Sequence, residues 1–174
     1  MILNVTNGLT VEGWTEKEEI IFEPDSLQYG DVQYSITEKK PVILTVTNLS
    51  KGRAQLTGNT ELTVALFCDR CLKEVPYQFS LEFSSEVLAP ELGAAVSEED
   101  ADTCLIGYQL DVDALVYNEI SINWPMKVLC HQDCKGICSV CGMDLNEGTC
   151  ECDTFVPDPR LAAIKDIFNA GKEV

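Results

Sequence analysis

The sequence predicts an α+β chain: a β-rich N-terminal domain over residues 1–125, one or two short helices, and a cysteine-rich C-terminal module over residues 126–174. Three observations carry that prediction. Apolar and polar residues alternate on both sides of a Cys-x2-Cys pair, Cys68 and Cys71, which is the period of a strand. A stretch beginning just after residue 110 repeats its apolar residues at three- and four-residue intervals, which is the period of a helix. Six cysteines then fall between Cys130 and Cys152, among glycines that suit tight knuckles rather than regular structure.

In chain order, the first strong strand signal is Val42-Ile-Leu-Thr-Val-Thr47, where Val42, Leu44 and Val46 share one face. Leu62, Val64 and Leu66 then alternate with Thr63 and Ala65 and lead into Cys68. Beyond the pair, Val75, Tyr77, Phe79, Leu81 and Phe83 alternate with Pro76, Gln78, Ser80 and Glu82. Two alternating runs joined by a short polar link read as a β-hairpin, with Cys68 and Cys71 at its tip. Pro76 cannot donate to a ladder, so the second strand is expected at an edge or to begin irregularly.

Residues 89–108 hold Pro90, Gly93, an acidic run and Cys104, and read as a mobile acidic loop. Val112, Leu115, Val116, Ile120 and Trp124 form the helical stripe, with Asp111 or Asp113 as N-cap and Pro125 as the stop. Gly136, Gly142 and Gly148 punctuate the cysteine module. Asp158-Pro159-Arg160 then opens a second short helix, Asp as cap and Pro at the first helical position. Leu161, Ile164, Ile167 and Phe168 are its apolar stripe, and both stripes are expected to be core faces.

Eight of the nine cysteines fall into four close pairs: Cys68 with Cys71, Cys130 with Cys134, Cys138 with Cys141, and Cys150 with Cys152. Two tetrahedral four-thiolate sites need that number of ligands, and thiolate is a soft donor suited to zinc. Cys138-x2-Cys141-Gly142 is a knuckle, and Cys150 and Cys152 can complete it after a short loop. Cys68, Cys71, Cys130 and Cys134 are left as the second set, which would tie the hairpin to the end of the helix. The alternatives are one site drawn from the C-terminal six, with Cys68 and Cys71 as reduced thiols or a redox pair, or no metal. Two Zn2+ per chain is the reading adopted. His131, the only histidine, is expected as a surface neighbour of the site rather than a ligand in place of Cys130, and Cys104 as a buried or idle thiol.

The start of the chain has neither a basic nor an apolar signal segment, and no apolar run approaches membrane-spanning length. A cytoplasmic location is therefore expected, where thiols stay reduced and bind metal instead of pairing. The net charge is −17, and residues 74–126 hold eleven acidic residues with no Lys or Arg. Such a surface repels phosphate and attracts basic proteins. Direct RNA binding would depend on a thin patch of Lys127, Lys135, Arg160 and Lys165. No phosphate loop, zinc-protease helix or serine triad is present, and closed four-thiolate sites leave no position for a reacting water. A catalytic role is not expected.

Taken together, Cys68-Asp-Arg-Cys71-Leu72, the Trp124-Pro125 helix end, Cys134-Lys-Gly-Ile-Cys138-Ser-Val-Cys141-Gly-Met-Asp-Leu-Asn146, Cys150-Glu-Cys152 and Asp158-Pro159-Arg160 resemble the YceD (DUF177) family over roughly residues 30–170. Its members are called large ribosomal RNA subunit accumulation proteins. The resemblance implies a role in synthesis, processing or stability of large-subunit ribosomal RNA, with no established enzymatic activity. It also implies that some members keep the equivalents of Cys68 and Cys71 while lacking the later pairs, so that one site belongs to the core and one is an addition. The partner expected on this basis is a basic ribosomal protein or an RNA-processing protein such as a ribonuclease.

Overall fold

A computed structural model describes residues 1–93 and 104–152. Its elements in chain order are β1 (Ile2–Asn4), α1 (Thr6–Thr10), β2 (Thr15–Ile20), β3 (Ser26–Tyr29), β4 (Val32–Lys39), β5 (Val42–Ser50), β6 (Arg53–Phe67), β7 (Glu74–Leu88), α2 (Pro90–Gly93), β8 (Leu105–Ile106), β9 (Gln109–Asp111) and α3 (Val112–Ile122).

The organising strand is β6. On one side it pairs with β7 along its whole length, from Arg53↔Leu88 to Phe67↔Glu74. On the other side its first half pairs with β5 and its second half with β4. Strand β2 extends the sheet beyond β5, and β3 extends it beyond β4. Every pairing is antiparallel, so alternation decides which side chains face inward. The inward set is Val42, Leu44 and Val46 from β5, Leu56, Leu62, Val64 and Leu66 from β6, and Phe79, Leu81, Phe83 and Val87 from β7. Thr63 and Ala65, on the other face, are half-buried. Pro76 sits opposite Ala65 in a strand that pairs only with β6 among the described residues, as a residue without an N–H requires.

Two buried polar side chains donate to carbonyls within this core, while the buried Asn48 Oδ1 accepts no bond among the described residues. Asn48 Nδ2 donates to the carbonyls of Gly8 and Ser50 at 2.8 and 3.1 Å, and Thr60 Oγ1 donates to Lys40 O at 3.0 Å. Gly58 is required by its neighbour: a Cβ there would lie 2.4 Å from the Phe83 ring.

Helix α3 closes the apolar face of the sheet with Val112, Leu115, Val116 and Ile120. Asp111 is its N-cap, its carboxylate accepting from the N–H groups of Asp113 and Ala114. The helix stops at Ile122, earlier than Pro125 predicts. Asn123 folds its side chain back onto Glu119 O at 2.8 Å, and Trp124 leaves the helical path. Its ring stacks on Tyr29 with centroids 4.1 Å apart and touches Tyr34 and Phe79. Trp124 therefore anchors the chain after the helix, not the stripe of the helix itself. Beside α3 lies a small sheet in the order β1-β9-β8.

The loop expected over 89–108 is corrected at both ends. Residues 90–93 form a helical turn, and 105–106 pair with 109–110 around Gly107, whose φ is +66°. Leu110 is fully buried, so the short hairpin is held by core packing. Residues 94–103, with the acidic run, and the helix expected at 158–168 lie outside the described residues. Among the described residues no helix is long and apolar enough to cross a membrane.

Candidate metal centres

Eight cysteine sulfurs gather into two groups of four. Cys68, Cys71, Cys130 and Cys134 form the first, and Cys138, Cys141, Cys150 and Cys152 the second. Within each group all four sulfurs lie within 4.8 Å of one another.

The first group is built by two segments far apart in sequence. Residues 68–73 link β6 to β7, and residues 128–138 run past them. The link is a tight turn, with Leu72 N–H donating to Cys68 O at 2.9 Å and Cys68 N–H to Lys73 O at 2.8 Å. Asp69 pairs with Val128 twice: its N–H donates to Val128 O at 2.9 Å, and its carboxylate accepts from Val128 N–H at 2.7 Å. Arg70 reaches the other end of the second segment. Its Nη1 donates to Cys134 O at 2.6 Å, and its carbonyl accepts from Ile137 N–H at 3.1 Å. Gly136, at φ +80°, allows that approach, since a Cβ there would meet Arg70 O at 2.8 Å.

The sulfurs so placed stand 3.8 Å apart for Cys68 and Cys134 and 3.5 Å for Cys71 and Cys130. A tetrahedral ion with metal–sulfur bonds of about 2.3 Å sets its sulfurs about 3.8 Å apart, whereas a disulfide needs about 2.05 Å. The spacing fits ligands around a cation.

The electrostatics fit as well. Burial pushes the Cys68 thiol up, but the backbone N–H groups of Cys71, Arg70 and Cys130 outweigh it and hold the thiol at about 6. Burial and the sulfurs of Cys71, Cys134 and Cys68 push Cys130 up to about 12. Four thiolates at this spacing repel one another unless a cation stands among them, and a soft divalent ion answers that need. Asn146 Nδ2 donates to Cys134 Sγ at 3.4 Å, a further bond to a ligand sulfur from outside the set.

The second group is local. Cys138 and Cys141 sit in a knuckle in which Gly142, at φ +74°, donates its N–H to Cys138 O at 2.9 Å. N–H groups of Cys141 and Val140 hold the Cys138 thiol at about 6. The Cys141 sulfur, ahead of burial, pushes Cys152 up to about 12. Cys138 is buried, Cys150 and Cys152 are half-buried, and Cys141 is exposed.

The two groups are braced against each other by Lys73, whose ammonium contacts Asp144 Oδ2 and Glu147 Oε1, each at 2.8 Å. Lys73 and the N–H of Asn146 hold the Asp144 carboxyl down at about 2. Neither Lys73 nor Arg70 nor Asn146 carries a periodicity or spacing signal, and sequence reasoning assigns them no role. His131 is exposed, with Nδ1 3.1 Å from Cys130 Sγ, beside the first group rather than in it. Cys104 lies in the main core, where Asn118 Nδ2 donates to its sulfur at 3.2 Å. Lys127 and Lys135 are exposed near the first group, while Arg160 and Lys165 lie outside the described residues.

Comparison with known proteins places these features in a family. The model described as large ribosomal RNA subunit accumulation protein YceD matches residues 56–168, which hold all eight grouped cysteines. A maize chloroplastic protein, large ribosomal RNA subunit accumulation protein YCED homolog 1, is 24% identical over 164 residues, covering 75% of this chain and 54% of that protein. Uncharacterized proteins of Mycobacterium bovis and Mycobacterium tuberculosis are each 24% identical over 103 residues, covering 59% of this chain and 49% of theirs. The chain thus spans about half the length of the curated relatives it matches. No solved structure matches.

Proposed function

Because the chain belongs to the YceD family of large ribosomal RNA subunit accumulation proteins, we propose that it is a non-catalytic factor in the synthesis, processing or stability of large-subunit ribosomal RNA, working through a protein partner. The family match over residues 56–168 carries this reading. The matched range also contains both cysteine groups, which supports reading them as part of the working molecule.

Zinc is the ion that suits all-sulfur tetrahedral sites in a reducing compartment. Cys68, Cys71, Cys130 and Cys134 would hold one ion, and Cys138, Cys141, Cys150 and Cys152 the other. Zinc bound there supplies a cross-link between loops. Each site spends all four positions on protein sulfur, so neither offers a place to activate water. The chain's own residues do the rest: Arg70 and Asp69 lock the first pair of segments, and Lys73 braces the second group against the first.

A basic protein is the partner that the charge favours. The chain carries −17, and a surface of that sign steers cations and repels phosphate. The reduced thiols suit the cytoplasm or an equivalent reducing compartment.

Depleting the protein from its host and measuring the ratio of large- to small-subunit ribosomal RNA tests the function. A fall in the ratio, restored by the wild-type chain, is expected, and an unchanged ratio rejects it. Elemental analysis of protein purified without chelator should find about two zinc ions per chain. Well under one rejects the metal reading, and iron with visible absorption replaces zinc with a rubredoxin-like site.

A further inference from the structure

The two cysteine groups differ in what can reach them. In the first, Cys68, Cys71 and Cys134 are 0, 6 and 1% exposed, and Cys130 alone is half-buried. In the second, only Cys138 is buried; Cys150 and Cys152 are half-buried and Cys141 is exposed. Oxidation of a thiolate by a small oxidant follows access, so Cys141 is the sulfur that a peroxide meets first.

An oxidised sulfur forms a disulfide only where a second sulfur can close on it, from the spacing of about 3.8 Å around a tetrahedral ion to about 2.05 Å. The backbone of the first group opposes that closure. Cys68 N–H is bonded to Lys73 O, Leu72 N–H to Cys68 O, Asp69 N–H to Val128 O, Cys134 N–H to His131 O, and Ile137 N–H to Arg70 O. The second group is fixed on one side only. Its knuckle is held by Gly142 N–H on Cys138 O at 2.9 Å and Val140 N–H on Cys138 Sγ at 3.4 Å. Residues 148–152 enter no backbone–backbone hydrogen bond among the described residues. Cys150 and Cys152 therefore stand within 4.8 Å of the Cys141 sulfur on a stretch of backbone that can shift toward it.

We propose that the second centre is a peroxide-sensitive switch, in which Cys141 forms a disulfide with Cys150 or Cys152 and zinc is released, while the first centre keeps its ion. The proposal rests on the reading of the eight cysteines as two zinc centres. The Cys141 thiolate attacks hydrogen peroxide, the O–O bond breaks, and the sulfur becomes a sulfenic acid as hydroxide leaves. The thiolate of Cys150 or Cys152 then attacks that sulfur, the S–S bond forms, the S–O bond breaks, and a second hydroxide leaves. Both hydroxides take protons from water, so two thiolates are oxidised to one disulfide and one peroxide is reduced to two waters. Half of the ligand set is lost, and the remaining two sulfurs no longer close a tetrahedron. The loop between Cys141 and Cys150 carries the change to the first centre. Leu145 N–H donates to Gly136 O at 2.9 Å, Asn146 Nδ2 to Cys134 Sγ at 3.4 Å, and Asp144 and Glu147 hold the Lys73 ammonium. Oxidation thus loosens the surface over the first centre while its cross-link stays in place.

The test treats the zinc-loaded full chain with hydrogen peroxide, follows zinc release with a chromogenic chelator, and maps disulfides by mass spectrometry of peptides. One of the two ions should leave at least about tenfold faster than the other, as access dictates. The disulfide formed should join Cys141 to Cys150 or Cys152, and a dithiol with added zinc should restore the starting state. Release of both ions at one rate, no release, or any other disulfide overturns the proposal. Cys141→His keeps a zinc ligand that forms no disulfide, and the fast release should slow about tenfold in it. Release as fast as in the wild type overturns the role of Cys141. If that variant binds only one ion, the disulfide mapped in the wild type decides. Fewer than two ions before any peroxide is added overturns the two-centre reading itself, and the switch with it.

Discussion

At the scale of single residues, the metal centres depend on a few positions where backbone meets backbone. Gly136 is the clearest. Its φ of +80° already disfavours a side chain, and a Cβ would press on the Arg70 carbonyl that Ile137 N–H uses. Gly142 shares the positive φ, but nothing lies within 4 Å of where its Cβ would be. Gly142→Ala should therefore cost about 1–2 kcal/mol, the conformational penalty alone. Gly136→Ala should cost more, because the carbonyl must also move. Denaturant melts of the two zinc-loaded variants compare them, and a Gly136→Ala loss no larger than that of Gly142→Ala would show that the contact relaxes freely. Phe83 tells the same story in reverse. Its ring occupies the space over Gly58, so Gly58→Ala should destabilise through a clash in the core rather than through φ.

At the scale of elements, the two centres tie different things together. The first joins the β6–β7 link to a segment 59 to 66 positions away, and three of its four sulfurs are buried. The second closes within 15 residues and leaves Cys141 exposed. Cys71→Ser should then cost more than about 4 kcal/mol, in the range reserved for lost metal or cross-links, and Cys150→Ser distinctly less. Equal falls in thermal midpoint would argue that the centres share one cooperative unit. A strong chelator should likewise remove metal in two phases, the faster phase vanishing in Cys150→Ser; a single phase in the wild type would mean equal access. The cysteine pairs are legible in the spacing because each is short-range, but spacing also allowed one site drawn from the C-terminal six, and the fold is what gathers the sulfurs into two groups of four. Strands β5, β6 and β7 are legible because one face is buried, which forces alternation at Val42–Val46, Leu62–Leu66 and Phe79–Phe83. Strand β2, Thr-Glu-Lys-Glu-Glu-Ile, lies at an edge with little buried side chain, so no period marks it. Strand β1 is three residues long and finds β9 more than a hundred residues later, a pairing that no local pattern encodes. The end of α3 is hidden for a related reason, since Trp124 is drawn off the helix by Tyr29, which lies far away in sequence. Lys73 and Arg70 act across the join between the loops, which exists only in three dimensions, and Asn146 folds back within its own stretch onto Cys134, Lys135 and Asp144.

At the scale of the whole molecule, charge is the property most directly tied to partner choice. Twenty-nine Asp and Glu residues stand against only twelve Lys and Arg, a net charge of −17, and two zinc–thiolate centres would make the balance more negative still. Several of those cations are engaged: Lys39 with Asp25, Lys40 with Glu61, Arg53 with Glu86, and Lys73 with Asp144 and Glu147. Lys127 and Lys135 are exposed near the first centre, and two cations are a weak electrostatic footprint for RNA, whose binding scales with the number of phosphates neutralised. A basic protein meets no such barrier. Its association should be fast at low salt and slow as salt screens the field over about 8–10 Å, with the dissociation rate little changed. Stopped-flow or surface measurements between about 0.05 and 0.5 M salt would show that slope against a basic ribosomal protein. The same titration against large-subunit RNA fragments should show only weak binding at about 0.15 M salt. Sub-micromolar RNA affinity under those conditions would reverse the assignment and make Lys127 and Lys135 the first residues to replace. Neutralising Glu98, Glu99, Asp100 and Asp102 together should reduce the on-rate of the basic partner while leaving the thermal midpoint of the chain unchanged. If that variant associates as fast as the wild type, the acidic run serves solubility alone, and recognition must come from shape and apolar contact.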